Sequence, residues 1–277
     1  MRAHHLQIEP EHLAGNGGLG RYVLLPGSAD RAARIAGHFD GAEALTNRRR
    51  HDVHLGTLPG AEGPVDVAVV ATGMGCPSVD IIVTELLQLG ARRFLRVGTT
   101  GTLQPHVRLG DLVIASGAVR DEATSDVYTP RGYPALADPL LVQALGDAAV
   151  AADLGERVHV GIVHTKDSFF GREFALGPDA ATNQAYMERL TAAKVVASEM
   201  EAAHLFILGA VYGGAPTSVQ ALRTAAARIR CGAILAVIGT PESGIVPLDE
   251  EKATEGRLID LALAGVSRLA SLEGATG

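Results

Sequence analysis

The sequence predicts an α/β fold with a largely parallel central sheet, on three observations. Short apolar runs recur, each closed by turn residues; helix-forming segments lie between them; and 47% of the 277 residues are hydrophobic, enough for a large buried core. The first run, 22–25, stops at Pro26-Gly27, and a helix over 30–38 follows behind a Ser/Asp cap signal. The second, 65–71, stops at Thr72-Gly73. A helix over 77–89 then starts with proline in its first turn and ends at Gly90. The third, 94–97, stops at Gly98. Strands over 112–118 and 158–163 come next, with helices over 138–153, 199–211 and 250–272, the last amphipathic and packed on the outside. Residues 15–20 are glycine-rich with no strand before them and are expected to form a flexible loop. Residues 212–230 mix loop and helix-forming composition, with Arg223, Arg228 and Arg230 expected on a solvated face. No repeat or linker divides the chain, so residues 1–277 are expected to form one domain.

Charge and composition narrow the function. A formal net charge of −7, with 20% charged residues, argues against a dedicated nucleic-acid binder. Of the 24 basic residues 21 are arginine, whose planar fork suits phosphate, so a local arginine cluster remains compatible with an acidic chain. Cys76 and Cys231 are too few for a disulfide framework or a multi-cysteine metal site. His51 and His54 are closely spaced but belong to no zinc-binding pattern, so no metal is expected. Residues 1–10 show no apolar secretory core, and the longest uncharged run, 205–222, is broken by Gly209, Gly213, Gly214 and Pro216. The expectation is a cytoplasmic protein with neither nucleic acid nor membrane as partner.

Three segments carry chemistry. In Leu-Pro-Gly-Ser-Ala-Asp-Arg at 25–31, a strand ends in a glycine turn and a helix begins. Free N–H groups and the positive helix end favour an anion there, and Arg31 adds a fork; alone, the segment also reads as an ordinary βα turn. In Arg-Val-Gly-Thr-Thr-Gly at 96–101, Arg96 interrupts an apolar strand. Unpaired, such a charge costs on the order of 3–5 kcal/mol, so it needs either a ligand at the strand's carboxyl end or a structural carboxylate. Gly98 and Gly101 admit a ligand to the backbone of the expected loop, and Thr99 and Thr100 supply hydroxyls. In Ser-Glu-Met-Glu at 198–201, opening a helix, one carboxylate is expected to cap N–H groups and the other to accept from ligand hydroxyls. No Walker A loop, GxGxxG fingerprint or hydrolytic triad stands at the strand ends.

Six segments in order, LPGSADR at 25–31, ATGMGCPS at 71–78, TELLQLG at 84–90, FLRVGTTGTLQPHVRLGD at 94–111, KDSFFG at 166–171 and SEMEAA at 198–203, resemble the uridine phosphorylases of the nucleoside phosphorylase-I family. The resemblance implies one domain on a twisted, partly closed, mixed central sheet flanked by helices. It implies a homodimer, or a homohexamer of three dimers, whose active sites borrow residues from the neighbouring chain. The implied reaction is attack of inorganic phosphate, a co-substrate, on the ribosyl C1′ of a nucleoside, with no cofactor. Gly27, Arg31, Arg96 and Thr99 are then the phosphate ligands, joined by Arg49 of the partner subunit. Met200 and Glu201 hold the ribose, and His5, with His4 as the fallback, reaches across the dimer to the 5′-hydroxyl. Thr100, Gly101, Phe169 and Arg172 line the base, and catalysis rests on Arg31, Arg96 and Glu201. Residues 1–20 form an N-terminal arm and residues 212–230 an insertion.

The pattern departs from the family at the base. Its uracil-reading glutamine and arginine follow Phe-x-x-Gly, whereas here Gly171 precedes Arg172, Glu173 and Phe174, leaving Arg172 to donate to a uracil carbonyl. A family glutamate that helps hold a monovalent cation aligns with Arg50, whose charge is expected to replace the ion. The strand over 234–238 runs into Gly239-Thr240-Pro241 without the aspartate of purine-specific relatives, which favours a pyrimidine. Uridine or a modified uridine is the expected substrate. The alternatives are a purine nucleoside phosphorylase, a nucleoside hydrolase of the same fold, or a non-catalytic nucleoside-binding protein.

Overall fold

The strand over Arg93–Thr102 organises the molecule in the computed structural model, which describes residues 3–213, 218, 228–240, 244–245 and 248–274. In chain order the elements are β1 (Tyr22–Pro26), α1 (Ala29–Ala36), β2 (Asp40–Leu45), β3 (Val53–Leu58), β4 (Val65–Val70) and α2 (Cys76–Gln88). Then come β5 (Arg93–Thr102), β6 (Leu112–Asp121), β7 (Ala135–Leu136), α3 (Pro139–Ala151), β8 (Val158–Lys166), α4 (Phe169–Glu173) and α5 (Ala180–Ala192). β9 (Ala197–Glu199), α6 (Ala202–Gly213), β10 (Arg230–Thr240), β11 (Gly244–Ile245) and α7 (Leu248–Gly274) complete the set.

The strands form one mixed sheet in the order β11-β10-β6-β8-β9-β5-β1-β4-β3-β2, with β7 on β6. β5 also pairs in parallel with β10, from Arg93↔Arg230 to Gly101↔Gly239, which closes β5, β10, β6, β8 and β9 into a ring. On its other side β5 follows β1 as far as Pro26↔Val97, then takes up β9 at Gly101↔Ser198. Residues 98–100 are paired with β10 alone among the described strands. Such a change of neighbours at strand carboxyl ends is where α/β sheets bind ligands.

Both faces are covered. Val23, Leu25, Phe94 and Ala233 share a core with α2 and α6; Leu24, Leu95, Val97 and Ile234 share one with α1, α3 and α7. That double burial makes the central strands apolar throughout instead of alternating. The helices begin where side chains or proline satisfy the first turn. Ser28 Oγ accepts from the backbone N of Arg31 in α1, and Asp138 accepts from Leu140 and Leu141 in α3. No helix among the described residues is long and apolar enough to cross a membrane, and both cysteines are free and buried.

Four expectations are corrected. The Gly-Thr-Thr-Gly segment is strand, not loop, because β10 extends the ladder to Gly101. The helix expected from residue 199 begins at Ala202, because Glu199 ends β9 and caps the helix from outside. Residues 15–20 hold a 3-10 turn fixed by Asn16, which donates through its backbone N to Asp66 Oδ2 and accepts from Asp66 N through Oδ1. Arg230 is not solvated: it is 1% exposed and meets Asp138 at 3.0 Å and Glu273 at 2.7 Å, with Arg228 also on Asp138 at 3.0 Å. Arg223, Pro241 and most of the expected insertion at 212–230 lie outside the described residues.

Candidate active site

Arg96 leaves β5 on the α2–α6 side and lies back across Gly98, where a Cβ would stand 2.8 Å from Nη2 and 2.9 Å from Cζ. The residue is 6% exposed. Its Nε donates to Glu199 Oε2 at 3.0 Å, Nη2 is ion-paired with Glu201, and Nη1 is buried without a hydrogen-bond partner among the described residues. A buried N–H left unmatched costs on the order of 1–3 kcal/mol, so this atom is suited to an acceptor the chain does not supply. Burial works against the Arg96 charge, but Glu201 and Glu199 outweigh it and hold its pKa above the ordinary value.

The two glutamates divide the work. Glu199 is committed to the scaffold: it accepts from Thr165 Oγ1 at 2.5 Å and from the backbone N of Glu201 and Ala202. Glu201 accepts from Gly75 N at 2.6 Å with Oε1 and meets Arg96 with Oε2. Burial, the largest influence, pushes its carboxyl above the usual range, and Arg96 pulls the other way. Met200 between them is half-buried, its carbonyl accepting from Cys76 Sγ at 3.3 Å.

The β1–α1 turn meets β5 at the same level, with Leu25 opposite Arg96. Arg31, 7% exposed, directs Nη1 to Val97 O at 3.4 Å, which places it at the strand end beside Gly27 and the half-buried Thr99. The fork that Arg31 was expected to offer to phosphate is instead engaged by Glu255 of α7. Nε donates to Oε1 at 2.6 Å, Nη2 pairs with the same oxygen, and Arg34 pairs with Oε2. Sequence reasoning missed Glu255, because no motif separates it from the other acids that open α7.

The residues expected to line the base take different postures. Thr100 Oγ1 donates to Ser198 O at 2.8 Å, so its hydroxyl ties β5 to β9. Phe169 is half-buried and packs edge-on against Phe170 and Phe174 at 5.2 and 5.3 Å. Arg172 does not project as a free uracil reader. Nε and Nη2 fork Asp121 at 2.6 and 2.9 Å, Nη1 donates to Asn183 at 2.5 Å, and the guanidinium stacks 4.3 Å from the Tyr186 ring. Burial works against the Asp121 charge, and His164 and Arg172 outweigh it, lowering its pKa. Gly101 is covered by Glu173, and Lys166 is buried beside that carboxylate; neither side chain is assigned a role from the sequence. Lys166 opens the KDSFFG motif and is one of only three lysines, a signal that was available.

The residues expected to serve a neighbouring subunit lie together. His4, His5, Gln7, Arg48 and Arg49 line an open pocket of about 280 Å³. His5 is seated by Glu85 of α2, which contacts its Nδ1 at 2.7 Å and accepts from the backbone N of His5 and Leu6. Among the described residues no hydrogen bond or ion pair joins His5 or Arg49 to Arg96 or Glu201. Arg50 is exposed, with Nε 4.0 Å from Asp52.

A ring-closed α/β sheet whose neighbour change gathers a buried arginine and a carboxylate is an arrangement suited to a small anion beside a hydroxylated ligand. The model of the phosphorylase superfamily matches residues 21–238, and the chain belongs to that superfamily. It is 40% identical to a uridine phosphorylase of Treponema pallidum over 223 residues, 80% of this chain and 78% of that protein. It is 31% identical to a uridine phosphorylase of Haemophilus influenzae over 272 residues, 96% and 98% of the two chains. A guanosine phosphorylase of Halorubrum lacusprofundi is 33% identical over 201 residues, 72% of this chain and 76% of that one.

Proposed function

We propose that this chain is a pentosyltransferase that cleaves uridine with inorganic phosphate to uracil and ribose 1-phosphate. The observation that carries the reading is the buried Nη1 of Arg96, unpartnered among the described residues, on a guanidinium already bound to Glu201. Phosphate accepts from that N–H, from the Gly27 turn and from Thr99, with Arg31 alongside. Glu201 accepts from the ribose hydroxyls, which places the sugar against the same arginine that holds the nucleophile. As the bond to the base lengthens, positive charge builds on the ribosyl ring, and the positioned phosphate supplies both nucleophile and counter-charge. No cofactor takes part. The clustering of His5 and Arg49 on one exposed face supports a homodimer, alone or within a hexamer, in which each arm completes its partner's site. The chain acts in the cytoplasm as a single domain.

Incubating the protein with phosphate and nucleosides, and measuring free base and ribose 1-phosphate, tests the reading. Phosphate-dependent release from uridine is expected, and Arg96→Ala is expected to abolish it in a protein that still folds. Release that ignores phosphate makes the chain a hydrolase; tight binding without turnover makes it a binding protein. The Halorubrum relative supports a second reading, a purine nucleoside, which inosine and guanosine in the same panel address.

A further inference from the structure

An ion pair between a buried lysine and a half-buried glutamate, at the base-side end of the site, is left unused by the phosphate and ribose chemistry. Lys166, the last residue of β8, is 1% exposed, with Nζ 2.8 Å from Glu173 Oε2 and 2.7 Å from Ser198 Oγ. Glu173 closes α4 and lays Oε1 over Gly101, 2.9 Å from where a Cβ would stand. That oxygen has no hydrogen-bond partner among the described residues, whereas Oε2 is taken by Lys166 and by Ser198 at 3.2 Å. Phe169 borders the pair, its ring centroid 5.8 Å from Nζ. Ser198 Oγ is 2.9 Å from His164 Nδ1, and His164 Nε2 is 3.0 Å from Asp121, so the pair is held from three strands. Desolvation of the buried ammonium offsets much of the attraction, so the pair is weak evidence of a purely stabilising role.

Resting on the nucleoside reading above, we propose that Lys166 and Glu173 read the hydrogen-bonding edge of the base. Lys166 donates to a carbonyl oxygen, and Glu173 Oε1 accepts from the ring N–H beside it. Uracil, thymine, hypoxanthine and guanine all present that lactam edge. Cytosine and adenine present an amino group and a bare ring nitrogen at the same places, so donor meets donor and acceptor meets acceptor. The glycosidic bond fixes the base's orientation, which prevents it from turning over to correct the mismatch. Glycine at position 101 leaves the carboxylate its place; any side chain there would displace it.

Glu173→Gln is the sharpest test. Lys166 and Ser198 both donate toward the Oε2 position, which holds the amide oxygen there and turns the NH₂ into the place of Oε1, so a donor now faces the base. Two readouts apply: kcat/KM for uridine and cytidine in saturating phosphate, and calorimetric binding of the same two nucleosides without phosphate, which requires no turnover. The wild-type protein is expected to prefer uridine in both. Glu173→Gln and Lys166→Met are each expected to narrow those preferences at least about tenfold, with KM for phosphate within about twofold. Preferences unchanged in folded variants, or a wild type that takes cytidine as readily as uridine, overturn the assignment. Discrimination between bound uridine and cytidine without any phosphorolysis would remove the phosphorylase reading and leave the base-reading role standing.

Discussion

Replacing Gly98 with alanine isolates the placement of one guanidinium. Gly98 is not among the glycines with positive φ, so alanine strains no backbone dihedral. Its Cβ would nevertheless stand 2.8 Å from Arg96 Nη2, 2.9 Å from Cζ and 3.0 Å from Leu235 Cδ2. Leu235 is fully buried on β10, directly opposite Gly98 in the ladder, and has nowhere to go. The guanidinium must therefore lift, and it is pinned by Glu199 at 3.0 Å and by its ion pair with Glu201. Losing one charge-assisted hydrogen bond costs about 1.5–3 kcal/mol. At 1.4 kcal/mol per factor of ten, kcat/KM for phosphate falls roughly 10- to 150-fold. The assay is base release at varied phosphate, run beside a thermal melt to show that the variant is folded. A folded Gly98→Ala protein within twofold of wild type refutes the requirement that Arg96 lie flat along β5.

Three further outcomes follow from the charge networks. Glu255→Ala removes the carboxylate that seats Arg31 and is expected to raise KM for phosphate about tenfold with a smaller change in kcat; an unchanged or lower KM shows that Glu255 competes with phosphate instead of aligning its ligand. Burial works against the Glu85 charge, yet the N–H groups of Leu6 and His5 hold its pKa below 4.5. A depressed carboxyl pKa contributes stability that is present above the unfolded value and lost as pH falls through the folded one. Protection of the N-terminal arm from proteolysis should therefore exceed that of Glu85→Gln at pH 7, and the difference should vanish in acid; a difference that persists in acid sinks the account. Glu273→Ala leaves Arg93 and Arg230 buried without their shared carboxylate and is expected to cost about 3–5 kcal/mol in denaturant unfolding. A loss under about 1 kcal/mol would show that the guanidiniums find other acceptors.

The fold was legible where burial leaves a pattern. β1, β4 and β5 show as apolar runs because both faces are covered, and α2 and α3 announce themselves through proline near the first turn. β2 was invisible because five of its six residues are exposed, and α5 because Leu190 is its only buried residue. In the site, Arg96 was legible as a charge inside an apolar strand, and Glu199 and Glu201 as two acids of which one would cap. What was not legible depends on distant partners. Arg172 reads as a ligand donor until Asp121, 51 residues away, takes its fork. Arg230 reads as surface until Glu273 and Asp138 are brought to it. Lys166 and Glu173 are seven positions apart, and only the turn of the chain through α4 makes them a pair.

α7 is secured near both its ends, with Glu255 on Arg31 and Arg34 and Glu273 on Tyr22, Arg93 and Arg230. The two acids lie about 27 Å apart along the helix axis at 1.5 Å per residue. Arg93 waits 180 positions for its counter-charge, and Tyr22 waits 251 for its acceptor. During synthesis β1 and β5 emerge long before the carboxylate that neutralises their buried end, so the sheet cannot seal by sequential growth from the N-terminus. Closure is a late, non-local event, with the entropic cost that such contacts carry. α7, made long after β1 and β5, sets the moment at which both the core and Arg31 settle into place.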